Sequence, residues 1–121
     1  MRILFIGNKN LQNEAIIEII KSENGFEVTH VLPGKVEEQA VELNHHKYKI
    51  VLADLASFAY SPDVSIKLIK SSNLSDYIIA IHNYKEKNLI QPIIDAGADF
   101  YFSVDSDADV LIEKIFEISN N

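Results

Sequence analysis

The sequence predicts an α/β domain in which a parallel sheet lies between two layers of helices. Three observations carry this. Short apolar runs alternate with segments of helical periodicity five times along 121 residues. The runs "RILFIG", "KIVLAD" and "YIIAIHN" are almost continuous in Ile, Val, Leu and Phe, the pattern of strands covered on both faces. Hydrophobic residues make up 47% of a chain with no cysteine, so a packed core must hold it without cross-links. Five β–α units in one sheet imply right-handed crossovers.

The elements follow in order. The first strand is "RILFIG", and "NEAIIEIIKSENG" reads as the first helix, with Ala15, Ile16, Ile19 and Ile20 inward and Gly25 as its stop. "FEVTHVL" is the second strand. "KVEEQAVELNHHK" is the second helix, with Val36, Ala40, Val41 and Leu43 inward. "KIVLAD" is the third strand. "PDVSIKLIKSS" is a helix begun by Pro62, burying Val64, Leu68 and Ile69. "YIIAIHN" is the fourth strand, and "YKEKNLIQPIIDAGA" the fourth helix. Asn83 and Glu86 have capping-box spacing there, and Pro92 marks a kink or a late first turn. "FYFSV" is the fifth strand, and "DADVLIEKIFEIS" a helix with Leu111, Ile115 and Ile118 on one stripe.

Composition excludes several functions. A net charge of −7 disfavours direct nucleic-acid binding, which needs a basic face. No stretch is long enough to span a bilayer, and "MRILFIG" has no small-residue cleavage site after it. The expectation is a soluble cytoplasmic protein. No repeat or linker interrupts residues 1–121, which read as one domain, either free-standing or the N-terminal part of a longer chain. "GNKN" is not a dinucleotide fingerprint, and Gly7, Gly25, Gly34 and Gly97 do not assemble a phosphate loop. His45 and His46 are adjacent, so they point apart on a helix and read as its solvated end. Asp105, Asp107 and Asp109 alternate as in a calcium loop but lack its glycine and terminal glutamate. They read as acids at the start of the last helix.

In sheets of this kind chemistry sits at the carboxyl ends of the strands. "YKIVLAD" places one carboxylate, Asp54, at such an end. Taken alone, a strand-end aspartate caps the following turn. The whole chain, however, resembles a response-regulator receiver domain of the CheY-like superfamily. "RILFIGN" resembles its first strand, and "NGFEVTHVLPGKVEEQAVEL" its second strand, turn and second helix. "YKIVLAD" resembles the strand bearing the phosphoacceptor, and "DAGADFYF" the turn into the fifth strand. The resemblance implies a doubly wound five-stranded sheet of order 2-1-3-4-5 flanked by five helices. It puts Asp54 at the phosphoacceptor position.

Receivers surround that aspartate with an acidic pair that holds a divalent metal, a Ser or Thr, and a lysine. These stabilise the transferring phosphoryl group. In this sequence the acidic pair falls on Gly7 and Asn8, the Ser/Thr position on His82 and the lysine on Val104, followed by Asp105. Asn8 offers a neutral carbonyl, and only Asp54 supplies charge, so no metal site is expected. Mg²⁺ enters as a cofactor only if phosphorylation is retained. His82 and Tyr101 fall on the switch positions. A histidine there could bond Asp54 or Tyr101 and titrate near neutrality, or it is a plain loop histidine. Tyr101 is the rotating aromatic of receivers or a half-buried strand residue.

The resemblance therefore implies a degenerate receiver, a pseudo-receiver that acts by protein–protein interaction with weak or no phosphorylation. It would not be an enzyme beyond any phosphorylation of itself. Its partners would be a histidine kinase, a phosphotransfer protein or an output domain. Contact, including a homodimer, would form through the face of the fourth helix, fifth strand and fifth helix, with Lys87, Gln91, Tyr101, Glu113 and Glu117 on its surface. The alternative is a working phosphoacceptor of a two-component phosphorelay, modified on Asp54. A third reading, a flavin or nucleotide binder on the same fold, finds no phosphate loop or acid–base pair to support it.

Overall fold

A computed structural model describes residues 1–121. Strands β1 (Arg2–Ile6), β2 (Glu27–Val31), β3 (Tyr48–Asp54), β4 (Ser75–His82) and β5 (Phe100–Ser103) form one sheet. All its pairings are parallel and its order is β2-β1-β3-β4-β5. Between and after the strands run α1 (Leu11–Lys21), α2 (Ala40–His46), α3 (Pro62–Ser71), α4 (Lys87–Asp95) and α5 (Ala108–Ser119). The expected architecture and strand order are both present. None of the helices is long and apolar enough to cross a membrane.

The continuous apolar strands divide their side chains between two cores. Leu4, Ile6, Val51, Ala53, Ile78 and Ala80 face the side covered by Val36, Leu43, Ile66, Ile69 and Ile93. Ile3, Phe5, Ile50, Leu52, Ile79, Ile81 and Phe102 face α1 and α5, where Ile16, Ile17, Ile20, Leu111, Ile112, Ile115 and Ile118 meet them. Alternation along each strand is what makes both faces apolar. β5 is set beside β4 by the turn at Gly97, whose φ of +128° suits glycine. The Asp99 carboxylate accepts the Ile78 N–H at 2.8 Å, and the Asp99 N–H returns to the Ile78 carbonyl at 2.8 Å.

Several helix faces differ from the sequence expectation. On α1 the buried face is Asn13, Ile16, Ile17 and Ile20, while Ala15 and Ile19 are exposed. The fully buried Asn13 rotates the stripe away from the one the apolar residues suggest. The helix also stops at Lys21, and Gly25 (φ +90°) serves the later turn into β2. The second helix is half its expected length. Pro33–Lys35 forms a 3-10 turn, the α-helix begins only at Ala40, and Val41 is 77% exposed. Val36 and Leu43 alone are buried from this segment. On α3, begun by Pro62 as expected, the buried residues are Ser65, Ile66 and Ile69, not Val64 or Leu68. Ser65 is small, and its hydroxyl donates to the Ser61 carbonyl at 2.9 Å, so it enters the core with its polar group satisfied. Asn83 does not cap α4. The cap position is Glu86 without a side-chain bond, and Pro92 lies inside the helix. On α5 the expected stripe is buried with Ile112 added, and Asp107 caps its start by accepting the Asp109 N–H at 3.0 Å.

Candidate functional site

The strand order reverses between β1 and β3, and the carboxyl ends of these strands form a crevice. Asp54 closes β3 there and is 3% exposed. The chain turns at once into the 3-10 segment Leu55–Ser57, which folds Ser57 back onto it. The Ser57 hydroxyl donates to Asp54 Oδ2 at 2.7 Å and accepts the Asn8 N–H at 2.9 Å.

The second partner comes from α1. Asn10 caps this helix by accepting the Asn13 N–H at 2.9 Å, which fixes the first turn and aims Asn13 inward. The Asn13 Nδ2 donates to Asp54 Oδ2 at 2.9 Å and to the Asn8 carbonyl at 2.9 Å. Both amide hydrogens are thereby used. Gly7 makes room for this arrangement. A Cβ at position 7 would stand 2.9 Å from Asn13 Nδ2, 2.9 Å from Phe5 Cε1 and 3.1 Å from Asp54 Cβ. The sequence brought Asp54, Gly7 and Asn8 to one place by resemblance. The structure adds Asn13 and Ser57, which sequence reasoning did not single out. The available signal was that Asn13 lies three, four and seven residues before Ile16, Ile17 and Ile20, the spacing of one helical face.

A hard divalent cation takes several oxygen ligands with carboxylates among them. The crevice offers one carboxylate, with two donor groups already directed at its Oδ2. The Asn8 carbonyl, a further oxygen, is occupied by an N–H donor as well. No group of three or more His, Cys, Asp or Glu side chains gathers anywhere in the fold. This donor set does not fit Mg²⁺.

The neighbouring rim, above β4 and β5, is built differently. His82 ends β4 and makes neither of the bonds considered for it, to Asp54 or to Tyr101. Its Nδ1 instead accepts the N–H of Asn83 at 2.9 Å, and its ring stacks on Tyr84 with centroids 4.1 Å apart. Burial lowers the His82 pKa below the usual 6.5, against the opposing pull of the Asp54 charge and the Asn83 side chain. Tyr101 is half-buried, and its hydroxyl donates to the Tyr84 carbonyl at 2.8 Å. Burial raises its pKa above 10.0. His82 and Tyr101 thus meet through Tyr84, one on its ring and one on its carbonyl. Val104 follows β5, packs against the α1–α5 core and donates its N–H to the His82 carbonyl at 3.0 Å. Asp105 pairs with Lys85 at 3.4 Å. Lys87, Gln91, Glu113 and Glu117 are exposed on α4 and α5. His45 and His46 are exposed at the end of α2.

No protein-family model matches the chain. The chain is 28% identical over 119 residues to a nitrate/nitrite response regulator protein homolog from Haemophilus influenzae, covering 98% of this chain and 57% of that protein. It therefore spans little more than half the length of this curated relative. Among solved structures, the signal receiver domain of the response regulator NarL from Mycobacterium tuberculosis superposes with a TM-score of 0.80 at 13% identity, covering 99% and 96% of the two chains. A LuxR-family two-component response regulator from Aurantimonas gives 0.80 at 19% identity, covering 97% and 83%. The response regulator domain of Thermotoga maritima CheB gives 0.78 at 18% identity, covering 100% and 97%. The chain has the fold of response-regulator receiver domains.

Proposed function

We propose that this chain is a receiver-like module of two-component signal transduction that works by binding a protein partner, with weak or no phosphorylation of Asp54. It is, on this reading, a pseudo-receiver. The receiver fold and the Haemophilus influenzae relative support the signalling part. The observation that carries the rest is the company Asp54 keeps. Its carboxylate is held by an amide and a hydroxyl, both neutral. Phosphoryl transfer to a carboxylate brings negative charge onto negative charge, and catalysis of it consists of positioning and charge neutralisation. Gly7, Asn8 and Val104 supply no charge, and the cation of Lys85 is engaged by Asp105.

The partner on this reading is a histidine kinase, a phosphotransfer protein or an output domain, docked on α4, β5 and α5, or a second copy of the chain on the same face. Lys87, Gln91, Glu113 and Glu117 would border that contact, with Tyr101 and His82 at its switch positions. One observation favours the alternative of a working acceptor: a carboxylate is kept at the end of β3, at the crevice where chemistry sits in such sheets. Intact-mass measurement after incubation with acetyl phosphate and Mg²⁺ separates the two. The proposal expects at most a small, substoichiometric mass gain. A stoichiometric, alkali-labile phosphoryl adduct on Asp54 overturns it in favour of the relay acceptor.

A further inference from the structure

The fully buried Asn13 joins two oxygens that approach each other from different strand ends: a carboxylate oxygen of Asp54 on β3 and the backbone carbonyl of Asn8 after β1. Two oxygens brought together in a buried site repel unless something positive lies between them. Here the two hydrogens of one primary amide do so, each directed at one oxygen. A metal ion bridging a carboxylate and a carbonyl meets the same electrostatic need. The amide is covalently part of α1, and its position is set by the Asn10 cap and by the space that Gly7 leaves. We propose that the Asn13 side-chain amide is a built-in substitute for a divalent cation, bridging Asp54 and Asn8 in the crevice, so that this pocket is held in one state whatever the Mg²⁺ concentration. The inference rests on the receiver reading of the Asp54 crevice and extends it to the regulation of that site.

The geometry makes Asn13 and Gly7 a matched pair. Any side chain at position 7 would press on the amide, so a carboxylate could enter there only if Asn13 moved out. It also separates Asn13 from a residue that merely fills space. An aspartate at position 13 has nearly the same shape but reverses the sign. It would set two carboxylates and a carbonyl around one point, which is an oxygen donor set for a divalent cation.

The test is thermal unfolding of the full chain, with Mn²⁺ or Mg²⁺ titrated at constant ionic strength, on the natural protein, Asn13→Asp and Asn13→Ala. The natural protein is expected to keep its Tm, and its Asn13 side-chain amide resonances are expected to stay in place. Asn13→Asp is expected to melt lower without metal and to recover with a saturable rise in Tm as Mn²⁺ is added. Asn13→Ala is expected to melt lower with no saturable recovery. A saturable cation response in the natural protein, with its Asn13 amide resonances moving, would overturn the proposal. So would a folded Asn13→Asp that ignores Mn²⁺, or an Asn13→Ala that melts like the natural protein. Should Asn13→Asp fail to fold even with metal, the other two proteins decide. Phosphoryl gain on Asp54 with no cation response would overturn the interaction-module reading and leave the bridge standing. Cation binding without phosphoryl gain would do the reverse.

Discussion

At the carboxyl end of β3, Asp54 meets an amide, a hydroxyl and, through them, the backbone of Asn8. Two strands away, at the end of β5, the buried Ser103 hydroxyl has no hydrogen-bond partner, and Tyr101 reaches across to the Tyr84 carbonyl by a single bond. In the first rim both donors converge on Asp54 Oδ2 and tie it to the Asn8 backbone. The second is held by the His82–Tyr84 stack, the Tyr101 hydroxyl, the Asn83 and Val104 N–H groups on His82 and the exposed Lys85–Asp105 ion pair. Receivers couple chemistry at one such rim to a change of surface at the other. On the proposed function, the rim at Asp54 is the one that would carry chemistry, and the rim at Tyr101 the one that would present a changed surface. On that proposal, a partner docked on the second rim would not need the first to react.

Perturbing the two rims separately sharpens the contrast. The largest effect belongs to Gly7→Ala, whose Cβ would overlap the Asn13 and Phe5 side chains and crowd Asp54. Overpacking of this kind costs roughly 1–3 kcal/mol, read as a lower urea midpoint with unchanged slope. Next comes Ser57→Ala, which takes from the Asp54 carboxylate one of its two donors. A hydrogen bond to a charged group contributes about 1.5–3 kcal/mol, with the lower end expected because Ser57 is half-buried. Tyr101→Phe removes the bond to Tyr84 alone and should cost about 1 kcal/mol. Its effect should add to that of Gly7→Ala, because the two residues share no partner. A coupling well beyond about 0.5 kcal/mol in that double mutant would show the rims to be one unit and break the comparison.

The smallest effect is in pH. The folded state holds His82 neutral below its ordinary pKa, since burial disfavours the charged ring by more than Asp54 and Asn83 favour it. The unfolded chain then takes up a proton first on acidification. The His82 contribution to stability is therefore complete above pH 6.5 and is lost as pH falls from there through the folded pKa. A His82→Gln variant should flatten this part of the stability–pH curve while the Asp54 rim keeps its amide resonances.

The strands were legible because their composition and their job agree: runs that must be apolar on both faces are apolar throughout. Helix faces were harder, and for one reason. Asn13 and Ser65 are polar residues on buried faces, each satisfied by partners that only the folded chain supplies. Following the apolar residues alone turned the expected faces of α1 and α3 away from those that are buried. The second helix was overestimated because Lys35 closes a 3-10 turn and residues 36–39 continue as turns, so the α-helix begins only at Ala40. The same limit applies to the crevice. Asp54 was visible as the only acid ending an apolar strand, and Gly7 and Asn8 follow β1 directly. Asn13 and Ser57 act at a distance of 41 and 3 residues from Asp54, through an inward-facing helix position and a turn. Neither carries a motif.

The central claim is that an amide stands where a cation would serve. A crystal structure grown in excess Mg²⁺ with acetyl phosphate tests it most directly. The account predicts the Asn13 amide still bridging Asp54 and the Asn8 carbonyl, with neither metal nor phosphoryl density at Asp54. Octahedral Mg²⁺ on the Asp54 carboxylate, with the Asn13 side chain displaced, would contradict it.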